Sequence, residues 1–363
     1  MRHLLLVLAL CSVPSIAAAD DVLTPADYLK ILTESKQRYN ILSTPSKTPI
    51  EEMRCPRRDM DMRVITKPDG SRSLVEWKIK PEAKKLLDEA ETLYQAKKYE
   101  EAGAKYKAAT EADPQAVSGY FFYGDTLLFG AKDAAAALAQ YQKGIALDPT
   151  LPLGYFFAST AYVRLGRPAD AREQVIKALT LHPAYEAVWK IADQSPRVWN
   201  IKPVVRHKFE PPEGYVGVKG KNGIDIFSGR DFHWIGYATC KAVWENEDRF
   251  RKQRGAGAGW SSDEERACLL NQIMSVYNAT EAKLEEERKK SGKEGEIKED
   301  AIIAALPPLE RHLFDIAREH MIDGYIFFEI IGQKCPLAIS ISDADTLKQI
   351  EAYIRKYVIV AAE

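Results

Sequence analysis

The chain has 363 residues, long enough for two or three domains, and a composition (46% apolar, 28% charged, 10% aromatic) that is ordinary for a folded protein. Its 51 basic and 52 acidic residues leave a net charge of −1, which gives no footing for a nucleic-acid binder or for a strongly acidic ligand.

The first residues read as an export signal. Arg2 and His3 make a short basic start, Leu4 to Leu10 an apolar run, and Ala17-Ala18-Ala19 a small-residue cleavage site before Asp20. The run is too short to span a bilayer, and no later stretch approaches the ~20 apolar residues that spanning requires. A lipid anchor on Cys11 is the alternative, but Leu10 stands where a bacterial lipobox has a small residue. The expected product is secreted or periplasmic, cut after Ala19. Removing the signal leaves Cys55, Cys240, Cys268 and Cys335, which allow two bridges in an oxidising compartment and three connectivities. None has CxxC spacing, so zinc and redox readings lack support. Cys240 and Cys268, on two expected helices joined by a glycine-rich turn, are the preferred pair, with free buried thiols as the alternative.

Residues 20–80 form an N-terminal segment. "YLKILTESKQRYNIL" (28–42) has a helical pattern, and "MRVITKPDGSRSLVEWKI" (62–79) places two β-prone runs around the turn Lys67-Pro68-Asp69-Gly70.

Beyond residue 80 the chain repeats itself. Pro114, Pro149 and Pro183 are spaced by 35 and 34 residues. Twelve residues before each stands an alanine (Ala102, Ala137, Ala171), and eight before each a core-filling residue (Tyr106, Tyr141, Val175). Upstream, Leu86, Tyr120 and Tyr155 open a first helix, followed by small Ala90, Gly124 and Ser159, then Leu93, Leu127 and Tyr162. Each unit reads as two amphipathic helices. Small residues let the axes approach, and prolines end the second helices. One unit cannot bury its own apolar face, so neighbours must stack. This pattern resembles the tetratricopeptide repeat family, W-x2-L-G-x2-Y then A-x3-F then P, over about 100 residues. Glu89 departs from it, and the second copy carries one extra residue near Gly130-Ala131-Lys132-Asp133.

"GYFF" occurs at both Gly119 and Gly154. Three adjacent rings cannot share one core, because each residue advances about 100° around a helix. In the family, Tyr120 and Tyr155 hold a packing position and Phe121 and Phe156 a position lining the concave groove. The resemblance therefore implies an apolar groove near Phe121, Asp125, Leu128, Phe129, Phe156 and Val163 that takes a protein or peptide. Rings packed under flanking segments, and a cofactor box, are the other two readings. Where a carboxylate clamp would need Lys and Asn, this chain has Leu87 and Glu91, then Ser118 and Phe122. Glu91 and Asp125 are expected to select against acidic partners.

"AYEAVWKIADQ" after Pro183 is a capping helix, ended at Ser195-Pro196. The expected domains are therefore 1–19 signal, 20–80, 81–196 repeats with cap, and 197–363. In the last, "YVGVKGKNGIDIF" (215–227) suggests a hairpin and "FHWIGYATCKAVWENEDRF" a helix. Gly255 to Gly259 form a turn, and Ser262 with Glu265 a capping box. "YIFFEII" (325–331), followed by "AISIS", suggests a buried strand, and "DADTLKQIEAYIRKYVIV" a closing helix.

Chemistry is sparse. In "ERHLFDIAREH", His312, Asp315 and Glu319 share the polar face of a helix and could ligate a metal, with His320 at the edge of the apolar face; a solvated helix explains them equally. Arg249, Arg251, Lys252 and Arg254 read as a solvated helix end, and Asn278-Ala279-Thr280 as a sequon inside a helix. No nucleotide, triad or zinc-protease fingerprint occurs. The expected fold is mainly α, a superhelix of helical hairpins with short β-hairpins and a C-terminal α+β or mostly helical domain. The expected function is an exported, non-enzymatic scaffold with no cofactor and no metal. Two alternatives stand beside it: an enzyme in the C-terminal domain, favoured by a deep pocket with His233 or His320 beside a carboxylate, and repeats that serve only as an intramolecular support.

Overall fold

Proline and left-handed turn residues set the rhythm of the helices. In the computed structural model, which describes residues 22–42, 55, 58, 60, 62–211, 218–220, 222–229, 232–254, 261–292 and 295–362, the fold is mainly α with short strands. The expected signal, Cys11 and the Gly255–Gly259 turn lie outside the described residues. The chain divides into two compact units, 53–206 with 327–363 and 1–52 with 207–326, so residues of the expected 197–363 domain fall in both.

The first of these units holds three helix pairs: α2 (Pro81–Gln95) with α3 (Tyr99–Ala112), α4 (Val117–Asp125) with α5 (Ala134–Leu147), and α6 (Pro152–Arg164) with α7 (Pro168–Leu181), followed by α8 (Glu186–Gln194). Within each pair the turn closes through one residue at positive φ, Lys97, Lys132 or Gly166. The amide after it reaches back to Leu93, Leu127 or Tyr162, satisfying a carbonyl the helix end leaves free. That reach spans five residues in the first and third pairs and six in the second. The extra residue of the second copy is therefore absorbed as a π turn, Thr126–Ala131, at the end of α4 rather than as a longer loop.

Between pairs, the register is held by a recurring bond. Tyr120 Oη donates to the Pro114 carbonyl (3.3 Å), Tyr155 Oη to that of Pro149 (2.9 Å), and Trp189 Nε1 to that of Pro183 (2.7 Å). Ala102, Ala137 and Ala171 are fully buried where helices touch, and a methyl at Gly124 would overlap the Tyr141 ring. The three aromatics are thus equivalent positions of successive pairs, which places α8 as the opening helix of a fourth.

Two segments brace the array. Arg58 and residues 62–80, carrying the hairpin β2 (Met62–Thr66) and β3 (Arg72–Glu76), lie along the turns between pairs. Lys80 N donates to Asp113 Oδ2 (3.0 Å), Arg63 donates to the Gln115 carbonyl, and Arg58 pairs with buried Asp148 (2.6 Å) and donates to the Thr150 carbonyl (2.8 Å). Asp113 and Asp148 are equivalent, each also accepting an amide two residues on, from Gln115 and Thr150 (both 3.0 Å). At the other end, Phe328 packs on Trp189 and Tyr353. Ser340 Oγ donates to the Leu181 carbonyl (3.3 Å), and Arg355 grips Glu173 with two bonds (2.9 and 2.6 Å). A disulfide joins Cys55 to Cys335, 280 residues apart.

The expected strand at 325–331 is helical instead: Ile322–Tyr325 continues through a π turn, Ile326–Ile331. Tyr325, Ile326, Phe328, Ile330 and Ile331 are all buried, and a segment buried on every side shows no period by which strand and helix differ. "AISIS" is likewise part of a helix, Pro336–Ser340.

In the other unit, α1 (Pro25–Glu34) ends earlier than its pattern suggests, and β1 (Tyr39–Leu42) pairs parallel with β5 (Gly223–Phe227), which pairs antiparallel with β4 (Val218–Gly220). Glu247 accepts hydrogen bonds from Ser35 Oγ and Tyr39 Oη, both 2.6 Å. Helix α9 (Ile235–Asn246), followed by the short α10 (Asp248–Arg254), crosses α11 (Ser262–Lys290) closely at Gly236, where an added methyl would meet Ser275 Oγ at 2.5 Å. The cap of α11 is Ser261, whose Oγ accepts from Glu264 N, one residue before the expected box.

Candidate functional site

The first helices of the pairs, α2, α4 and α6, carry the positions from which the groove was expected. Three of the six residues are closed off. Phe121 is fully buried, Leu128 is 6% exposed and Asp125 9%. Phe121 was expected in the groove and instead fills a space left by glycines. A methyl at Gly144 would overlap its ring, one at Gly154 would stand 2.6 Å from it, and Phe157 meets it edge-on at 6.0 Å. Met60 packs against the same cluster, between Arg58 and Arg63, which hold the turns between pairs.

The other three reach the surface. Phe129 is 43% exposed, and Phe156 and Val163 are half-buried. Phe156 leans on Tyr185 at 5.4 Å. Phe122 stacks obliquely on Tyr106 of α3 (5.7 Å), so in the first "GYFF" the second ring serves the core and the third belongs to the contact with the preceding pair.

A tyrosine–carboxylate pair recurs on this face. Tyr106 Oη donates to Glu91 Oε2 (2.9 Å), and Tyr141 Oη donates to Asp125 Oδ1 (2.6 Å). The pairs occupy the same register in successive repeats; the π turn accounts for the one-residue difference in spacing. In the third copy Val175 and Thr160 replace them, and Thr160 Oγ1 turns to the Phe156 carbonyl (3.2 Å). Burial pushes the Asp125 carboxyl up to about 6, the Tyr141 bond opposes that, and nearby Glu91 adds to it. Tyr94 is raised to about 12, first by burial and then by Asp125. Glu91 is exposed and also accepts from Gln95 Nε2 (2.7 Å). Among the described residues no lysine or arginine pairs with either carboxylate. Sequence spacing alone shows these pairs once the register is known, since each tyrosine sits eight residues before a repeat proline.

Elsewhere, Cys240 and Cys268 are brought together as a disulfide between α9 and α11, with Cα atoms 5.1 Å apart. The trio on α13 (Pro308–Arg318), which follows the short α12 (Glu299–Ala305), is not assembled as a polar face. His312 is buried and stacked on His207 (3.8 Å), whereas Glu319 and His320 are exposed beyond the helix end. The apolar stripe runs through 309, 312, 313 and 316, which turns His312 inward and His320 outward. Among the described residues no group of three His, Cys, Asp or Glu side chains could hold a metal ion. His233 Nε2 does lie 2.7 Å from Glu310 Oε1, a buried carboxylate also approached by Gln272 Nε2 (3.4 Å). Such a pair fixes the orientation of an imidazole; Glu310 and Gln272 are too far from it in sequence for spacing to have revealed them. Arg249, Arg251 and Lys252 are exposed on a short helix, Asp248–Arg254.

Residues 87–152 match the family model described as tetratricopeptide repeat. Residues 87–152 are tetratricopeptide repeats. The match and the helix pairs agree in register, and the tetratricopeptide array extends on both sides of the matched stretch through α2 and α8. No curated protein matches the chain. Among solved structures it is similar to the first tetratricopeptide repeat domain of Spaghetti (RPAP3) bound to the HSP90 peptide SRMEEVD, at 21% identity over 30% of this chain and 86% of that one, TM-score 0.29. It is also similar to the type III secretion chaperone SycD of Yersinia enterocolitica in complex with a peptide of the translocator YopD (20% identity, 32% and 88% covered, TM-score 0.29). An alternative dimer of SycD gives 19% identity, 33% and 90% coverage, and TM-score 0.30. No helix among the described residues is long and apolar enough to cross a membrane.

Proposed function

We propose that this chain is an exported, non-enzymatic tetratricopeptide-repeat scaffold that binds a protein or peptide segment through the part of its concave helical face that the chain itself leaves uncovered. The observation that carries this reading is Phe129, an aromatic 43% exposed in the π turn that ends α4, where neighbouring Leu128 is buried. Half-buried Phe156 and Val163 continue that apolar surface on the next repeat. Covering it yields roughly 25 cal/mol for each Å2 removed from water. Binding belongs to residues 81–196, with the flanking segments as braces. Export is supported by the basic, apolar and small-residue order of residues 2–19 and by two disulfides, which persist in oxidising compartments.

The test is a photo-crosslinking amino acid placed at Phe129 of the full chain in living cells, with the same group at exposed Lys85 as control. A discrete adduct with one protein from position 129 alone supports the reading. Identical adducts from both positions, or none, count against it. N-terminal sequencing of the mature protein tests export: a chain beginning at Asp20 is expected, and one retaining Met1 in the cytosol removes that part.

A further inference from the structure

The two edges of the repeat array are finished differently. The turns between pairs are held by Arg58, Arg63 and Lys80. The turns within pairs stand clear: residues 95–98, 129–133 and 164–167 are exposed throughout, and so are 197–198 after α8. These four tips form a row. A methyl on Gly130 would overlap Tyr99, which sets the second tip beside the first. Ala134 and Leu138 share one cluster with Ala161 and Tyr162, which links the second tip to the third. Arg172 Nη1 donates to the Asn200 carbonyl (3.2 Å), which sets the fourth beside the third.

Apolar and cationic side chains stand together in the open along that row. Phe129 (43%), Leu165 (37%) and Val198 (37%) are three of the seven large apolar side chains exposed among the described residues, one on each of three successive tips. The tips also carry Lys97, Lys98, Lys132, Arg164, Arg167 and Arg197 against a single acid, Asp133, which caps α5 by accepting from Ala136 N (2.9 Å). Over the whole chain the two signs balance, so this excess is local. Glu101 holds Lys98 (3.2 Å) and Asp170 holds Arg167 (2.8 Å), but among the described residues no acid pairs with Lys97, Lys132, Arg164 or Arg197. Cations suit the carbonyl ends of helices, which explains their sign but not the bare apolar side chains beside them.

We propose that this row of tips is a docking surface for an anionic lipid bilayer. Phe129, Leu165 and Val198 enter the headgroup region, while Lys97, Lys132, Arg164 and Arg197 meet the lipid phosphates. Charge complementarity selects an anionic partner, and shape selects a membrane over a peptide. A peptide is gripped by a groove or by an unpaired strand, and projecting turns offer neither. A bilayer is met by projecting apolar groups with basic residues around them. The inference goes beyond the scaffold reading, giving the protein a place of action; Phe129, at the end of α4, borders both surfaces.

The experiment is flotation of the mature protein with vesicles of mixed phosphatidylcholine and phosphatidylglycerol, against vesicles of phosphatidylcholine alone. At low salt the anionic vesicles are expected to bind about tenfold more protein or better, with the difference lost at high salt. Lys97→Gln, Lys132→Gln, Arg164→Gln and Arg197→Gln together lower that binding at least about tenfold. Phe129→Ser with Leu165→Ser lowers it as well, with every cation in place. All six positions are exposed, and an unchanged melting temperature shows that the fold is kept. Arg249→Gln, Arg251→Gln and Lys252→Gln, which remove an exposed basic cluster from the other unit, leave binding as it was. Equal flotation with both kinds of vesicle, or none, overturns the docking surface and leaves the scaffold standing. A loss that follows the Arg249 cluster and spares both tip variants overturns it too. Capture of a soluble glutamate- and leucine-rich peptide without any vesicle binding also overturns it, and assigns the tips to an acidic protein.

Discussion

Phe121 is where sequence register and packing disagree, and its replacement decides between them. The ring is fully buried against Gly144, Gly154 and Phe157. Truncation to alanine removes a complete aromatic side chain from a site whose walls are helix backbone and cannot collapse, so about 3–5 kcal/mol of stability is lost. The same truncation at Phe129, 43% exposed, costs under about 1 kcal/mol. A second perturbation comes from the facing wall. Gly144→Ala forces its methyl onto the ring and costs about 1–3 kcal/mol. Combining it with Phe121→Leu costs less than the sum of the two single changes, because the shorter side chain vacates the overlap. The assay is guanidinium denaturation of the full chain followed by far-UV circular dichroism, with limited proteolysis of residues 81–196 to show which unit opens, since a two-unit chain need not unfold in one step. A Phe121→Ala protein that keeps its midpoint within the Phe129→Ala range refutes the burial argument and restores Phe121 to the groove.

Three further outcomes follow from the same structure. Asp125 has its folded-state carboxyl raised from 3.8 to about 6, so its contribution to stability is complete below about pH 4 and is lost as pH rises through 6; Asp125→Asn removes that slope, measured as melting temperature against pH. His312 is depressed from 6.5 to about 3 by burial and by neighbouring His207, so it destabilises the fold as pH falls from 6.5 toward 3; His312→Phe flattens this limb in a pH series. Breaking the Cys55–Cys335 bridge by Cys335→Ser releases a 280-residue constraint and lowers stability by about 2–4 kcal/mol, seen as a melting shift that matches wild type plus reductant only when Cys240–Cys268 is also removed.

The repeats were legible because their signals are local. A proline ends a helix wherever the helix lies, so Pro114, Pro149 and Pro183 announced the units, and small residues at fixed offsets announced the contacts. What a residue on such a helix touches is another matter. Phe121 was placed on the groove by register, but its burial depends on glycines at 144 and 154 and on Met60, three parts of the chain that no pattern around residue 121 reveals. The extra residue of the second copy was visible as a count; whether it lengthens a loop or widens a helix turn is settled by the hydrogen bond from Asp133 N to the Leu127 carbonyl. "YIFFEII" misled for a simpler reason, since burial on all sides erases the period on which strand and helix are told apart.

Glu91 and Asp125 show how the two kinds of information combine. Register alone gave them a common position and a sign of charge, which suffices to disfavour an acidic ligand. Only the structure adds that each is steadied by its own repeat's tyrosine, that among the described residues no lysine or arginine pairs with either, and that Asp125 is buried while Glu91 is exposed.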